Sequence, residues 1–251
     1  MLSVFPLVWM LISATNKSID VVRGTMLPGG YLIENFKSLL AAQNVGGAMM
    51  NSFKYATIQT LVALLICSLA GYGFEVYHDK WKDRVMSIIL LAMMVPFAAT
   101  MIPLFRMFST AGLLNSTLGF LLPYIATPFL IMMFRQSARS FPHDIIEAAR
   151  IDGLSEIGIF FRMFLPTMRS TYAAAMTITF MNAWNNYLWP KVIMLDASTG
   201  TMPMLIANLT EGYFTDYGML MLGVTLCTLP TVIIFFLLQK SFAEGITGAV
   251  K

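Results

Sequence analysis

Long stretches without charged residues dominate the chain and predict helices that cross a membrane. A helix needs roughly 20 apolar residues to span the hydrocarbon layer, and a charge at its centre costs about 2.5–3.5 kcal/mol. Five stretches meet this condition, namely 55–74, 85–105, 107–134, 170–190 and 217–239. We therefore expect at least five spans.

The first sixteen residues also carry no charge, but their apolar part, 2–14, is short and contains Pro6. They lack the basic start that is typical of a signal peptide. We interpret them as a first helix that is short or truncated at its N-terminus. The predicted fold is all-α, a polytopic bundle of six transmembrane helices that forms one transmembrane domain over residues 1–251.

The composition agrees with a membrane protein. Apolar residues make up 57% of the chain and charged residues only 12%, and the mean hydropathy is +0.72. A soluble domain usually carries about 25% charged residues, so this chain has too few to cover a surface in water. A net charge of +3 is too small for binding a polyanion. We expect membrane lipid around the protein and no nucleic acid.

The segments that connect the predicted spans lie alternately on the two sides of the membrane, and their basic residues predict the orientation. These residues are unevenly divided between the two sides. Ten lie in one set: Lys80, Lys82, Arg84, Arg135, Arg139, Arg150, Arg162, Arg169, Lys240 and Lys251. The other set holds six: Lys17, Arg23, Lys37, Lys54, Arg106 and Lys191. The positive-inside rule places the richer set in the cytoplasm, with both chain ends inside.

The third predicted helix contains Pro96 and Pro103. Each proline removes a backbone donor and disturbs the preceding turn. In a membrane the freed carbonyls must lie against protein or a cavity. A functional break and an ordinary packing kink are equally compatible with this pattern.

The segment 136–166 is a cytoplasmic loop whose residues predict two short helices. Pro142 suits a helix start, and Asp144 favours the first turn. Gly153 suits a left-handed helix end, and Ser155 can cap a second helix that runs toward Pro166.

The first of these helices resembles a small docking surface. Ile145, Ala148 and Ala149 are expected on one face, while Glu147 and Arg150 could pair elsewhere. The residues alone leave two interpretations open: a surface for another protein, or a helix folded against its own bundle.

A family resemblance favours the docking interpretation. Glu147-Ala148-Ala149, Gly153 and Leu165-Pro166 match the EAA motif of bacterial ABC import permeases: EAA, three residues, Gly, nine residues, Ile, one residue, Leu-Pro. Met163 stands where the family usually has Ile. Further matches resemble the maltose-permease branch of the binding-protein-dependent transport inner membrane components. They are Asn51-Ser52, Gly71-Tyr72-Gly73-Phe74, Pro96 with Pro103, Gly112-Leu113-Leu114-Asn115, Ala183-Trp184-Asn185 and Thr201-Met202-Pro203.

The resemblance implies a sugar importer subunit in the bacterial cell (inner) membrane. Its expected partners are a second permease, a dimer of cytoplasmic ATPases that binds ATP-Mg, and an extracytoplasmic sugar-binding protein. The loop would seat a coupling helix on the ATPase. The residues implied for coupling are Ile145, Glu147, Ala148, Ala149, Asp152, Gly153, Leu165 and Pro166. The chain contains no G-x-x-x-x-G-K-[ST] phosphate loop, so the ATPase must be a separate chain and no cofactor is expected in this one.

A polar stripe marks the fifth predicted span. Asn182, Asn185, Asn186 and Trp189 follow helical spacing, and Thr179 extends the row. Amides in a spanning helix should face the bundle or a water-filled path, where amide groups and an indole suit a sugar. Packing between helices is the other interpretation.

Two further segments are expected on the outer surface. The segment 18–53 includes the amphipathic run from Tyr31 to Leu40. The resemblance implies that the loop 191–216 meets the binding protein through Asp196, Gly200, Thr201 and Met202, whereas a simple connector is the alternative.

We find no pattern of residues for catalysis or metal binding and expect no enzyme. His78 and His143 lack ligand partners at useful spacing, and Asp144, Glu147 and Asp152 are typical of a solvated helix. A secondary transporter without an ATPase would require ionisable residues within the spans, and the five stretches contain none. A polyol or glycerol-phosphate ester is the nearest alternative substrate to a neutral mono-, di- or oligosaccharide.

Overall fold

The computed structural model describes residues 4–248, whose regular structure is helical, so the all-α prediction is confirmed. The helices are α1 Phe5–Ser13, α2 Ser18–Val22, α3 Leu32–Ala42, α4 Val45–Val76, α5 Lys80–Ala92, α6 Phe97–Thr110, α7 Thr117–Leu121, α8 Pro128–Ala138, α9 His143–Ile151, α10 Glu156–Ile159, α11 Leu165–Thr167, α12 Arg169–Trp184, α13 Leu188–Ile193, α14 Met202–Asn208 and α15 Tyr217–Gly248. Short 3-10 turns occupy Leu122–Tyr124 and Ala197–Thr199, and a π turn occupies Phe160–Phe164. Lys251 lies outside the described residues.

Four of the predicted spans correspond to helices with the length and composition to cross a membrane. Within residues 4–248, α4 and α15 (over Tyr217–Leu237) meet these criteria as single helices. The pair α5 and α6 and the pair Thr117–Tyr124 and α8 meet them only together, with bends of 97° and 53°. The short first helix appears as α1, with nine residues.

The fifth predicted span is shorter than expected. Helix α12 has 16 residues and ends at Trp184, although we predicted a helix as far as Pro190. In a continuous helix the ring of Pro190 would clash with the carbonyl of Asn186. Two consecutive asparagines also favour local bonds to the backbone over helix, so the chain leaves the helix before the proline.

Pro96 breaks the third predicted span. Helix α5 ends at Ala92, four residues before Pro96, which is the position whose carbonyl a helical proline ring would meet. Pro96 itself is extended, with ψ of 130°, and α6 begins at the next residue. The bend of 97° is therefore a true break. Pro103 lies inside α6 without ending it.

The chain divides into two compact units that share helices. The first comprises the residues up to Tyr55, Leu114–Ser116 and Trp184–Ile234. In it, α3 buries Asn35 and Leu39. The Asn35 side-chain amide donates to the carbonyls of Ala14 and Asn16 at 2.9 and 3.0 Å, which ties α3 to the end of α1.

The second unit comprises Ala56–Leu113, Thr117–Ala183 and the chain from Phe235 onwards. Its core joins four helices, because Leu64 of α4, Met86 of α5, Phe134 of α8 and Ala175 of α12 belong to one buried cluster. A second cluster joins Tyr72 of α4 to buried side chains of the loop 136–166 and positions α9.

Candidate functional site

Helix α9 is anchored on one side and exposed on the other. Ile146 and Ala149 are buried in a cluster with aromatic side chains of α4 and the π turn. In that cluster the ring centroid of Tyr72 lies 4.8 Å from that of Phe164, which lies 5.5 Å from that of Phe160. Such dense aromatic packing resists deformation and fixes α9 against α4 and the π turn of its own unit.

The side of α9 that faces away from this cluster carries exposed apolar residues. Ile145 is 40% exposed, Ile151 is 86% exposed, and Ala148 is also exposed. Our assignment of Ala149 to this docking face is wrong, because Ala149 points into the core with Ile146. A core face and a docking face are both apolar, so spacing alone could not distinguish them.

The C-terminus of α9 has the geometry that its sequence predicts. Gly153 adopts the left-handed conformation, with φ of 81°. Its N–H donates to the carbonyl of Arg150, and the N–H of Leu154 donates to that of Ala149, both at 3.0 Å. This is a Schellman motif, which satisfies the last carbonyls of the helix. Glu147 and Asp152 are exposed beside it.

The turn after α9 begins the next helix as expected. The Ser155 hydroxyl accepts from the N–H of Gly158 at 3.2 Å and so caps α10. The helical path then widens into the π turn before Leu165 and Pro166. Because Pro166 has no N–H, an α-helical bond to the carbonyl of Arg162 cannot form there. Leu165 packs on the aromatic cluster, and Pro166 is exposed.

Arg150 pairs with Glu156 and not with Glu147, which the sequence offers as a possible partner. Its guanidinium donates to the two carboxylate oxygens of Glu156 at 2.7 and 3.2 Å. The hydroxyl of Tyr77 donates to the same carboxylate at 2.5 Å. These two donors, Arg150 first, hold the pKa of Glu156 below its usual range. The carboxylate therefore stays charged at neutral pH, and the pair is lost only in acid, as the pH falls through that lowered pKa.

An ionic cluster that the sequence analysis missed lies near the same end of α4. Arg135 is only 4% exposed and donates to Asp83 at 2.5 Å and to Glu75 at 3.2 Å. Exposed Arg139 also reaches Glu75, at 3.4 Å. The sequence marked Arg135 only as a basic residue at a span end, since its acidic partners lie 52 and 60 positions away.

The polar stripe does not form one helical face. Asn182 is exposed on α12, while Asn185 and Asn186 follow the end of that helix. Trp189 belongs to α13 and is fully buried. Asn185 lines a groove of about 340 Å³ together with Tyr187, Pro203 and Thr228. Among the residues of the predicted stripe, Asn185 therefore has a side-chain amide that lines a groove.

The loop between α13 and α14 is partly buried. Asp196 is exposed and Gly200 is half-buried. Thr201 and Met202 are 3% and 0% exposed, so the expected contact of these two residues with a binding protein is wrong for this conformation. Met202 begins α14 and packs inward, whereas Leu195 to Ser198 are exposed.

Neither histidine belongs to a cluster of metal-ligating residues. His78 contacts Asp83 at 2.9 Å, and His143 is exposed at the start of α9. Over the described residues, no group of three or more His, Cys, Asp or Glu side chains could hold a metal ion.

Comparison with known proteins identifies the family. The model of the binding-protein-dependent transport system inner membrane component family matches residues 63–248, which is most of the chain and includes the whole loop 136–166. The chain belongs to this family. It is thus an inner membrane component of a binding-protein-dependent transport system, and it lies in the cell membrane as a multi-pass protein.

Relatives of this inner membrane component match over the full chain. The lactose transport system permease protein LacG of Rhizobium radiobacter is 46% identical over 250 residues, covering 100% of this chain and 92% of the relative. The arabinooligosaccharides transport system permease protein AraQ of Bacillus subtilis (strain 168) is 33% identical, with coverage of 100% and 92%.

The fold of this inner membrane component also occurs in a solved transporter. A chain of a bacterial ABC transporter involved in the import of the acidic polysaccharide alginate superposes with a TM-score of 0.84. The match covers 96% of this chain and 91% of the other, at 19% identity. At this identity the likeness concerns the fold alone.

Proposed function

We propose that the chain is a permease subunit of an ATP-binding-cassette sugar importer. With a second permease it forms the path for a mono-, di- or oligosaccharide that an external binding protein delivers. Two cytoplasmic ATPases bind ATP-Mg and drive the cycle, while this chain carries no catalytic site of its own. The observation that carries the proposal is the 46% identity over the whole chain with a lactose permease.

The chemistry of the described residues supports a neutral substrate. Lactose is an uncharged disaccharide with many hydroxyl groups, which amides and aromatic faces bind well. The groove at Asn185 offers an amide, the Tyr187 side chain and the Thr228 side chain, and it contains no charged residue. A phosphate ester would call for basic groups at this position.

The geometry of α9 supports the coupling role. Exposed Ile145 and Ala148 form the surface that seats on an ATPase, with Glu147 and Asp152 at its rim. Buried Ile146 and Ala149 connect that surface to the aromatic cluster and to α4. When the ATPases close around ATP, α9 transmits the movement as a rigid lever. The free energy comes from the nucleotide, because the lever itself has no ligand.

The substrate class is tested with the reconstituted complex of both permeases, the ATPase and the binding protein. We expect lactose or a related oligosaccharide to stimulate ATP hydrolysis, whereas a polyol and glycerol 3-phosphate leave it at the basal rate. Stimulation by glycerol 3-phosphate alone would replace the sugar by a phosphate ester. Transport by the purified chain without an ATPase would refute the proposal as a whole.

The coupling surface is tested by adding one charge at two exposed positions of α9. Ala148→Glu places a carboxylate in the apolar contact and should abolish substrate-stimulated ATP hydrolysis. The matched control, His143→Glu, adds the same group in the first turn, where it suits the helix dipole. Equal activity of the two variants would contradict the assignment of Ala148 to the contact.

A further inference from the structure

Two sequence signatures that are far apart in the chain, Asn51-Ser52 and Gly112-Leu113-Leu114-Asn115, meet at one loop of the first unit, and a third, Thr201-Met202-Pro203, begins at the end of that loop. The outer loop, Ile193–Met202, connects α13 to α14. Asn51 and Ser52 come from α4, and Asn115 lies between α6 and α7. We call Asn51, Ser52 and Asn115 the clasp, because all three bond to this loop.

Asn115 holds the first half of the outer loop as an acceptor. Its Oδ1 accepts from the N–H groups of Leu195 and Asp196 at 2.6 and 2.9 Å, and from the hydroxyl of Thr199 at 3.5 Å. Its own N–H donates to the carbonyl of Ile193 at 3.0 Å. Its φ of 54° is left-handed, a conformation that asparagine and aspartate tolerate better than most residues.

Asn51 and Ser52 hold the second half of the outer loop, Asn51 as a donor and Ser52 as an acceptor. The side-chain amide of Asn51 donates to the carbonyls of Ser198 and Gly200, at 2.8 and 3.0 Å. The Ser52 hydroxyl accepts from the buried N–H of Met202 at 2.8 Å. Asn51 therefore acts as a donor, while Asn115 acts through its carbonyl oxygen.

The clasp fixes the loop backbone and leaves its side chains outside. Four consecutive residues, Leu195 to Ser198, are exposed, although their backbone is bonded on both sides. A loop on a protein surface is ordinarily mobile, and ordering it upon binding costs conformational entropy. Here the hydrogen bonds to the clasp already order the loop before binding, so much of that entropy cost is absent from the binding step.

We propose that the clasp positions the outer loop for the binding protein. It presents the edge Leu195–Ser198, an apolar and acidic strip, in a preformed conformation to the sugar-loaded binding protein. This inference rests on the proposed function. It makes Asn51, Ser52 and Asn115 positioning residues, which act through the loop and touch no sugar.

Because Asn51 acts as a donor and Asn115 as an acceptor, replacing each asparagine by aspartate should have different effects. In the reconstituted complex, Asn115→Asp keeps an acceptor and a residue suited to positive φ, so stimulation by binding protein should remain as in the wild type. Asn51→Asp replaces the donor by a carboxylate that faces two carbonyls, and Asn115→Gly keeps the backbone conformation but loses the acceptor. Both should raise the half-saturating concentration of binding protein about tenfold.

The basal and the maximal stimulated rates of ATP hydrolysis should change less than twofold in every variant, because the clasp alters recognition and not the motor. Unchanged half-saturation in Asn51→Asp and Asn115→Gly, with a normally stimulated wild type, would overturn the clasp alone. So would an Asn115→Asp variant as impaired as Asn115→Gly. A wild-type complex that no binding protein stimulates would overturn the clasp and the proposed function together.

A spin label at position 197 reports the loop itself. In a complex in which alanine replaces Cys67 and Cys227, Ala197→Cys is labelled and its mobility is measured without binding protein. We expect an immobile label in the parent and in Asn115→Asp, and a mobile one in Asn51→Asp. A label that is already mobile in the parent would contradict a preformed loop.

Discussion

Gly71 marks a place where helices α4 and α8 are in backbone contact. A Cβ at this position would lie 2.6 Å from the amide nitrogen of Arg135, 2.7 Å from Cβ of Phe134 and 2.9 Å from the carbonyl oxygen of Ile131. Two of these three atoms belong to the backbone, which cannot yield as a side chain does. The contact therefore depends on the absence of a side chain in α4 at this residue.

We expect Gly71→Ala to destabilise the protein by about 1–3 kcal/mol, as overpacking of a core does. The matched control is Gly73→Ala, since a Cβ there meets nothing within 4 Å and alanine favours the helix by about 1 kcal/mol. Thermal unfolding in detergent should show a lower midpoint for the first variant only. A midpoint for Gly71→Ala equal to that of Gly73→Ala would show that the helices can separate without cost.

Arg135 stabilises the second unit through its two carboxylate partners. Arg135→Met removes both bonds and leaves Glu75 largely buried without its strongest donor, which should cost about 1–3 kcal/mol. Arg139→Met is the control, because that side chain is half exposed and its bond is long, so we expect a loss of about 0–1 kcal/mol. The two variants are compared by the protease resistance of the membrane-embedded complex. Similar resistance would argue that the cluster contributes no stability.

At the scale of one element, α9 depends on its left-handed C-terminus. Gly153→Pro forces φ from 81° to about −65° and removes the N–H that bonds to Arg150. We expect normal insertion in the membrane but a loss of at least tenfold in substrate-stimulated ATP hydrolysis. Gly153→Asn tolerates the conformation and keeps the N–H, so it should retain coupling. Retained coupling in both variants would exclude a role for this helix end.

The elements that the sequence predicts well are those set by neighbouring residues. The end of α9 at Gly153, the cap at Ser155 and the break at Pro96 follow from backbone rules within a few positions. The inward orientation of Ala149 and the partner of Arg150 depend on contacts with other helices. The error at Asn185 and Trp189 has a local cause, because Pro190 already argues against the helix that the stripe required.

At the scale of the whole molecule, the break at Pro96 gives the third predicted span two alternative paths through the membrane. A helix broken by 97° at Pro96 either crosses the membrane as two pieces or turns back within it. Ten basic residues against six support one crossing, with the loop that contains α9 inside the cell.

Two exposed positions of the second unit distinguish the paths. With Cys67 and Cys227 replaced by alanine, Ile151→Cys should react with a membrane-impermeant thiol reagent only in inside-out vesicles. Ala111→Cys, which follows α6, should react only in right-side-out vesicles if α5 and α6 together cross once. If the pair turned back, Ala111 would lie on the same side as the start of α5, so Ala111→Cys would then react only in inside-out vesicles. Labelling of Ile151→Cys from outside would place α9 outside the cytoplasm and would contradict the proposed contact with the ATPase.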